Sequence, residues 1–174
     1  GVHRKKRGYI AVPSFAGWTA QIAAMKVASD PPPNERLQGK DIPASQAAEH
    51  IAGYTVFNDF SARDVQLREM QGRLGPAKGK DFDGANAFGP CIVTRDEIAN
   101  PYALQMLARV NGEEWSRNNS STMDWRFEQC IAHVSRGETL YPGEILGSGT
   151  VGGGCGLEQL RFLQHGDVVE LEVE

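Results

Sequence analysis

The end of the chain alternates. Val169, Leu171 and Val173 are separated by Glu170, Glu172 and Glu174, a period of two that predicts a half-exposed strand with its glutamates on the solvent face. A longer period governs Phe127, Cys130, Ile131 and Val134. Their i, i+3, i+4, i+7 spacing predicts one apolar face of a helix. Ser121 and Asp124 suit a capping-box start for it, and Gly137 a stop. Residues 43–51 (PASQAAEHI) predict a short helix, with proline at its start and Gly53 past its end. Residues 54–58 predict a strand, and 61–71 a helical segment with Asp59 or Ser61 as cap. Residues 88–94 and 104–110 read as strands, and Asn111-Gly112 predicts a hairpin that reverses the chain into 113–117. After the Pro142-Gly143 turn, 144–150 predicts a further strand. Strands outnumber helices, and hairpin signals outnumber βαβ patterns. The expected class is a β-rich α+β fold of mixed sheets.

Charge divides the chain unevenly. Residues 1–29 carry five basic groups and no acid, whereas the remaining 145 carry 13 basic and 22 acidic groups. Pro31-Pro32-Pro33 follows the basic head and forces extended backbone. Periodicity is weak before Gly39 and clear after it, and no internal repeat occurs. The expectation is an atypical basic segment at 1–38 and one patterned domain at 39–174. Hydrophobic residues at 40% suffice for a sizeable core. A net charge of −4 gives no reason to expect nucleic acid as a partner. No apolar run approaches the ~20 residues of a membrane span. HRKKR at 3–7 opens like a signal peptide, but Pro13, Trp18, Thr19 and Gln21 interrupt the stretch that follows, so it reads as a solvated basic tail. Three cysteines without a CxxC pair argue against a disulfide framework and suit a reducing, cytoplasmic setting. Cys130 and His133 form a CxxH that lacks the second pair a zinc site needs.

Gly147-Ser148-Gly149-Thr150-Val151-Gly152 matches GxGxxG, and Glu172 stands 20 residues beyond it. A dinucleotide site needs a helix opening at the last glycine. Here Gly153, Gly154 and Gly156 follow, and glycine opposes a helix. The stretch is expected to be a strand running into a flexible loop, with the Thr150 hydroxyl available to a ligand. The densest chemistry lies in YTVFNDFSARDVQ, residues 54–66. Alternation puts Asp59 on the side of Phe57 at the strand's exit. A carboxylate beside apolar groups needs a neutralising cation. Arg63 and a hard dication such as Mg²⁺ are both candidates. Lys80, among the glycines of GPAKGKDFDGANAFGP (75–90), is placed to meet a ligand's negative charge. A plain ion pair at the helix start and a ligand site both remain open on these residues.

GYTVFNDFSARDVQ, GPAKGKDFDGANAFGP and LYPGEILGSGT, in that order, together resemble the fumarylacetoacetate hydrolase family, from about Gly39 to Glu174. The resemblance implies a mixed β-sheet roll with short helices, usually a homodimer. It implies a Mg²⁺, Mn²⁺ or Ca²⁺ ion held by carboxylates, and chemistry on 2-oxo acids or 1,3-dicarbonyls: C–C hydrolysis, decarboxylation or isomerisation through a metal-stabilised enolate. It makes Asp59 a metal ligand, Arg63 and Lys80 catalytic groups near the reacting oxygen, and Gln66 and Thr150 substrate contacts. Two departures accompany it. The family's Glu-x-Glu metal pair is missing before Asp59, where the only acids are Asp30, Glu35, Asp41 and Glu49, and no general-base histidine is in place. The family also continues its last strand beyond the point at which Glu174 ends this sequence. A catalytically impaired relative that dimerises or binds a ligand is therefore the alternative expectation.

Overall fold

Asn111 and Gly112 adopt φ of 51° and 80°, the pair of positive values a two-residue hairpin turn requires. The turn joins β8 (Gln105–Val110) to β9 (Glu113–Asn119). The computed structural model describes residues 39–174 in full and, as backbone, the strands at 6–11, 16–17 and 20–25. In chain order the other elements are β1 (Lys6–Ala11), β2 (Ala16–Gly17), β3 (Ala20–Met25), β4 (Gly39–Lys40), α1 (Ala44–Ala47), β5 (Gly53–Asp59), β6 (Ser61–Ala62), α2 (Arg63–Met70), β7 (Asn86–Thr94), α3 (Phe127–Val134), β10 (Thr139–Leu140), β11 (Ile145–Gly147) and β12 (Val168–Val173).

Two four-stranded sheets carry the architecture, in the orders β1-β12-β8-β9 and β11-β3-β5-β7. Every pairing among the described strands is antiparallel. The α+β, strand-rich class read from the sequence holds. Residues ahead of Gly39, despite their weak periodicity, supply β1 as the edge of one sheet and β3 as an inner strand of the other. The start of the HRKKR tail and the Pro31–Pro33 run lie outside the described residues.

One apolar cluster packs on the start of β5 and another at its exit. One gathers Ile42, Tyr54, Met106, Phe127, Ile131 and Leu140, and so packs α1 and α3 on β5. The other joins Phe60 to Ala108, Val110, Leu163, Val169 and Leu171 of the first sheet. Phe60 is fully buried. It is wedged between Asp59 and Ser61 in sequence, so its burial fixes the backbone of the charged stretch.

Several expected details change. Neither Asp59 nor Ser61 caps α2: its N-cap is Ala62, with no side-chain cap bond, because residues 61–62 pair as a short strand with β2. Ser121 and Asp124 do not open α3. The helix begins at Phe127, and Gln129 Oε1 accepts from the Arg126 backbone N–H at 2.9 Å. The strand expected at 144–150 stops at Gly147. The glutamate face of β12 is not solvated: Glu172 is 1% exposed. β12 lies inside its sheet between β1 and β8, and Arg109 Nη1 on β8 donates to Glu170 at 2.8 Å and Glu172 at 2.7 Å. A charge can be buried when a guanidinium meets it.

Because Phe60 is completely buried in the second cluster, Phe60→Ala is expected to lower unfolding free energy by about 3–5 kcal/mol. Urea denaturation of the two proteins checks this. A loss under about 1 kcal/mol, the level of an ordinary surface change, contradicts the wedge role.

Candidate active site

β5 is a buried strand that ends in a carboxylate. Asp59 and Lys80 are 21 residues apart, yet Lys80 Nζ lies 2.5 Å from Asp59 Oδ2, with side chains only 21% and 26% exposed. A cation that meets Asp59 is thus Lys80, placed by the sequence reading against a ligand's charge instead. The loop at 76–85 delivers it. Two backbone bonds stitch that loop to the β5 exit: Phe60 N–H to Ala85 O at 2.7 Å and Ala62 N–H to Gly79 O at 2.8 Å.

α2 supplies the rest of the cluster. Arg63 Nη1 donates to Gln66 Oε1 at 2.6 Å, and its Nη2 donates to Cys155 Sγ at 3.0 Å. Gln66 in turn packs against the loop. A Cβ on Gly79 would meet Gln66 N, Cα and Cβ at 2.8, 2.9 and 2.9 Å, so only glycine allows this approach. Arg63 Nε and Ser61 Oγ are buried without a hydrogen-bond partner among the described residues. Donors left so favour a guest that brings an acceptor oxygen.

Asp59, Lys80, Gln66 and Arg63 therefore form one chain of contacts. Thr150 is placed differently. It lines a cavity of about 170 Å³ with Met106, Ser120, Thr122 and Trp125, and none of the other four residues lines that space. The glycine loop that carries Thr150 reaches the cluster through Cys155. That loop, expected to be flexible, is tied down: Asn118 Nδ2 donates to Gly152 O at 2.7 Å and Gln159 Nε2 to Gly153 O at 2.9 Å.

Sequence reasoning missed Cys155 and Glu69. The Glu69 carboxylate accepts from the backbone N–H groups of Ala77, Lys78 and Gly79 at 2.8, 2.7 and 3.0 Å. Its spacing of i+3 from Gln66, on the same helix, was the available signal. Nothing in the sequence placed Cys155, buried at 8% exposure, beside Arg63.

The implied divalent ion meets a poor donor set. Mg²⁺ needs several oxygen ligands in strict geometry. Among the described residues no group of three or more His, Cys, Asp or Glu side chains is assembled to hold a metal, and Asp59 is engaged by Lys80. The described residues do not by themselves fit a resident dication. They supply one carboxylate and two cations, Asp59 with Lys80 and Arg63 with Gln66, on segments that meet where Gly79 approaches Gln66.

Known proteins resemble this chain closely. The family model for the fumarylacetoacetate (FAA) hydrolase C-terminal region matches residues 36–174. A mitochondrial oxaloacetate tautomerase of Bos taurus is 42% identical over 140 residues, covering 79% of this chain and 43% of that protein. The corresponding protein of Homo sapiens is 41% identical over 138 residues, with the same coverage. The chain thus spans less than half the length of the curated relatives it matches. Among solved structures, a fumarylacetoacetate hydrolase from Exiguobacterium antarcticum aligns with a TM-score of 0.76 at 30% identity, over 91% of this chain and 53% of that one. A 5-carboxymethyl-2-hydroxymuconate delta-isomerase from Mycobacterium smegmatis aligns at 0.73 and 28%, over 91% and 55%. Sequence, fold and the three motif blocks converge, and the chain belongs to the fumarylacetoacetate hydrolase family through that family's C-terminal domain.

Proposed function

We propose that this chain carries the reacting end of an enzyme that makes and stabilises the enolate of a 2-oxo acid, and that its reaction is keto–enol tautomerisation. The observation that carries this reading is the 2.5 Å Lys80–Asp59 pair, linked through Gly79 and Gln66 to an Arg63 that is itself fixed by Gln66 and Cys155. The curated relatives at 41–43% identity act as oxaloacetate tautomerases by name, which favours a short 2-oxo dicarboxylate as substrate.

The chemistry follows from the charges. Solvent water takes a proton from the carbon beside the 2-oxo group, which leaves a negative charge on the carbonyl oxygen. The Lys80 ammonium and the Arg63 guanidinium stabilise that oxygen, and preorganised donors are worth most where charge develops. A proton delivered to the oxygen then gives the enol, so the step has no net change in atoms. Asp59 fixes where the Lys80 Nζ points. Gln66 fixes the plane of Arg63. Thr150, which lines a different cavity, has no part in this step. This assignment rests on side chains alone, because the described residues do not assemble a dication site.

C–C hydrolysis is the second reading, and it uses the same enolate. It also needs a base that activates water. His50 packs beside Gly39 and His133 lies in α3, on elements that carry none of the cluster residues.

The test follows the enol of oxaloacetate by its ultraviolet absorbance. Lys80→Met is expected to lower kcat by about 10²–10³-fold. Unchanged turnover in that variant overturns the reading. The absorbance of an acylpyruvate is expected to persist in the same protein. Its Lys80-dependent loss moves the assignment to hydrolysis. Binding of oxalate, an enolate mimic, without turnover of either compound favours a ligand-binding relative instead.

A further inference from the structure

The loop that presents Lys80 has few anchors of its own. It closes locally through Lys80 N–H and Asp81 N–H, which both donate to Ala77 O at 3.0 and 2.9 Å. Its remaining backbone donors at 77, 78 and 79 point toward α2. There they meet one side chain, Glu69. Oε2 accepts from Ala77 and Gly79, and Oε1 accepts from Lys78. Three successive N–H groups converge on two carboxylate oxygens, immediately before the lysine that meets Asp59.

We propose that Glu69 is a positioning residue for Lys80. Its carboxylate clamps the 77–79 backbone to α2 and so sets the direction from which Lys80 reaches the reacting oxygen. This rests on the reading of Lys80 as a catalytic group given above. Two further observations support it. Gly79 touches Gln66 so closely that a Cβ there would fall within 2.8–2.9 Å of it, which makes α2 the seat of the loop. The Glu69 carboxyl is held below its ordinary 4.5, first by the Ala77 N–H, then by the Gly79 and Lys78 N–H groups and the Lys78 charge, with desolvation opposing. Hydrogen bonds to the charged form have that effect. The requirement is for a carboxylate. Glutamine offers a single acceptor oxygen and turns an NH₂ against the loop's donors.

α2 then has a divided role. Gln66 and Glu69 meet the loop, whereas Leu67 and Met70, at i+4 and i+7 from Arg63, are 72% and 50% exposed. One helix thus orients both cations of the site: Arg63 through Gln66, and Lys80 through Glu69.

The experiment measures kcat and KM for oxaloacetate tautomerisation in Glu69→Gln and Glu69→Ala, each with Lys80 intact and in the Lys80→Met background. With Lys80 present, each variant is expected to lose about 10–100-fold in kcat at unchanged KM, the size of effect a displacement near 1 Å produces. In the Lys80→Met background the same changes are expected to cost nothing further, since the group they aim is gone. Equal losses in both backgrounds, or full activity in Glu69→Gln, overturn the proposal. Amide hydrogen exchange at residues 77–79 separates this from failure of the underlying reading. If Lys80→Met is fully active, Lys80 is not catalytic and both proposals fall as statements about the reaction. Faster exchange in Glu69→Ala then preserves the clamp as a feature of the loop, and unchanged exchange removes that as well.

Discussion

A carboxylate at the exit of a buried strand has to be neutralised where it stands, because desolvation of an unpaired charge costs several kcal/mol. At Asp59 the Lys80 ammonium meets it at 2.5 Å. Much of the local structure follows from that requirement. A lysine 21 residues further along the chain reaches Asp59 only if the intervening segment returns to the end of β5. The return is secured by Phe60 and Ala62, whose N–H groups donate to Ala85 and Gly79. Phe60 is also the apolar wedge that binds this corner to the first sheet. Site geometry and core packing therefore share the same residues.

The arrangement explains why a helix with exposed leucine and methionine side chains is retained beside the site. α2 buries none of its residues fully. Its stability comes from bonds to the loops around it rather than from an apolar stripe. Its function, in turn, is to hold polar groups at fixed spacing. Arg63, Gln66 and Glu69 lie roughly one turn apart: Arg63 donates to Cys155, and Gln66 and Glu69 both meet the 77–79 loop. A site built on one rigid helix keeps its two cations in register with each other.

The glycine-rich loop after β11 shows how one composition serves two structural ends. Its glycines oppose a helix, which argues against a dinucleotide site, and positive φ at Gly149 (79°) and Gly153 (69°) uses the freedom only glycine has. The same loop is nonetheless held by Asn118 and Gln159. Permissive backbone here means an unusual path rather than mobility.

Much of the fold was legible in local pattern. The period-two and period-3.6 runs marked β5, β8, β12 and α3, and Asn111-Gly112 marked the hairpin, because such signals depend on residues a few positions apart. The NDFSARD and GKDF blocks together pointed to Asp59, Arg63, Gln66 and Lys80. Other features needed the folded chain. Burial of Glu172 depended on β12 lying inside its sheet opposite Arg109. The Lys80–Asp59 pair, the Cys155 contact to Arg63 and the Glu69 clamp join residues whose separation in sequence carries no period. Sequence fixes which elements form and which groups are available, since propensity and patterning act locally. Which charge meets which is decided by long-range packing, since only a closed core brings distant side chains within hydrogen-bond reach.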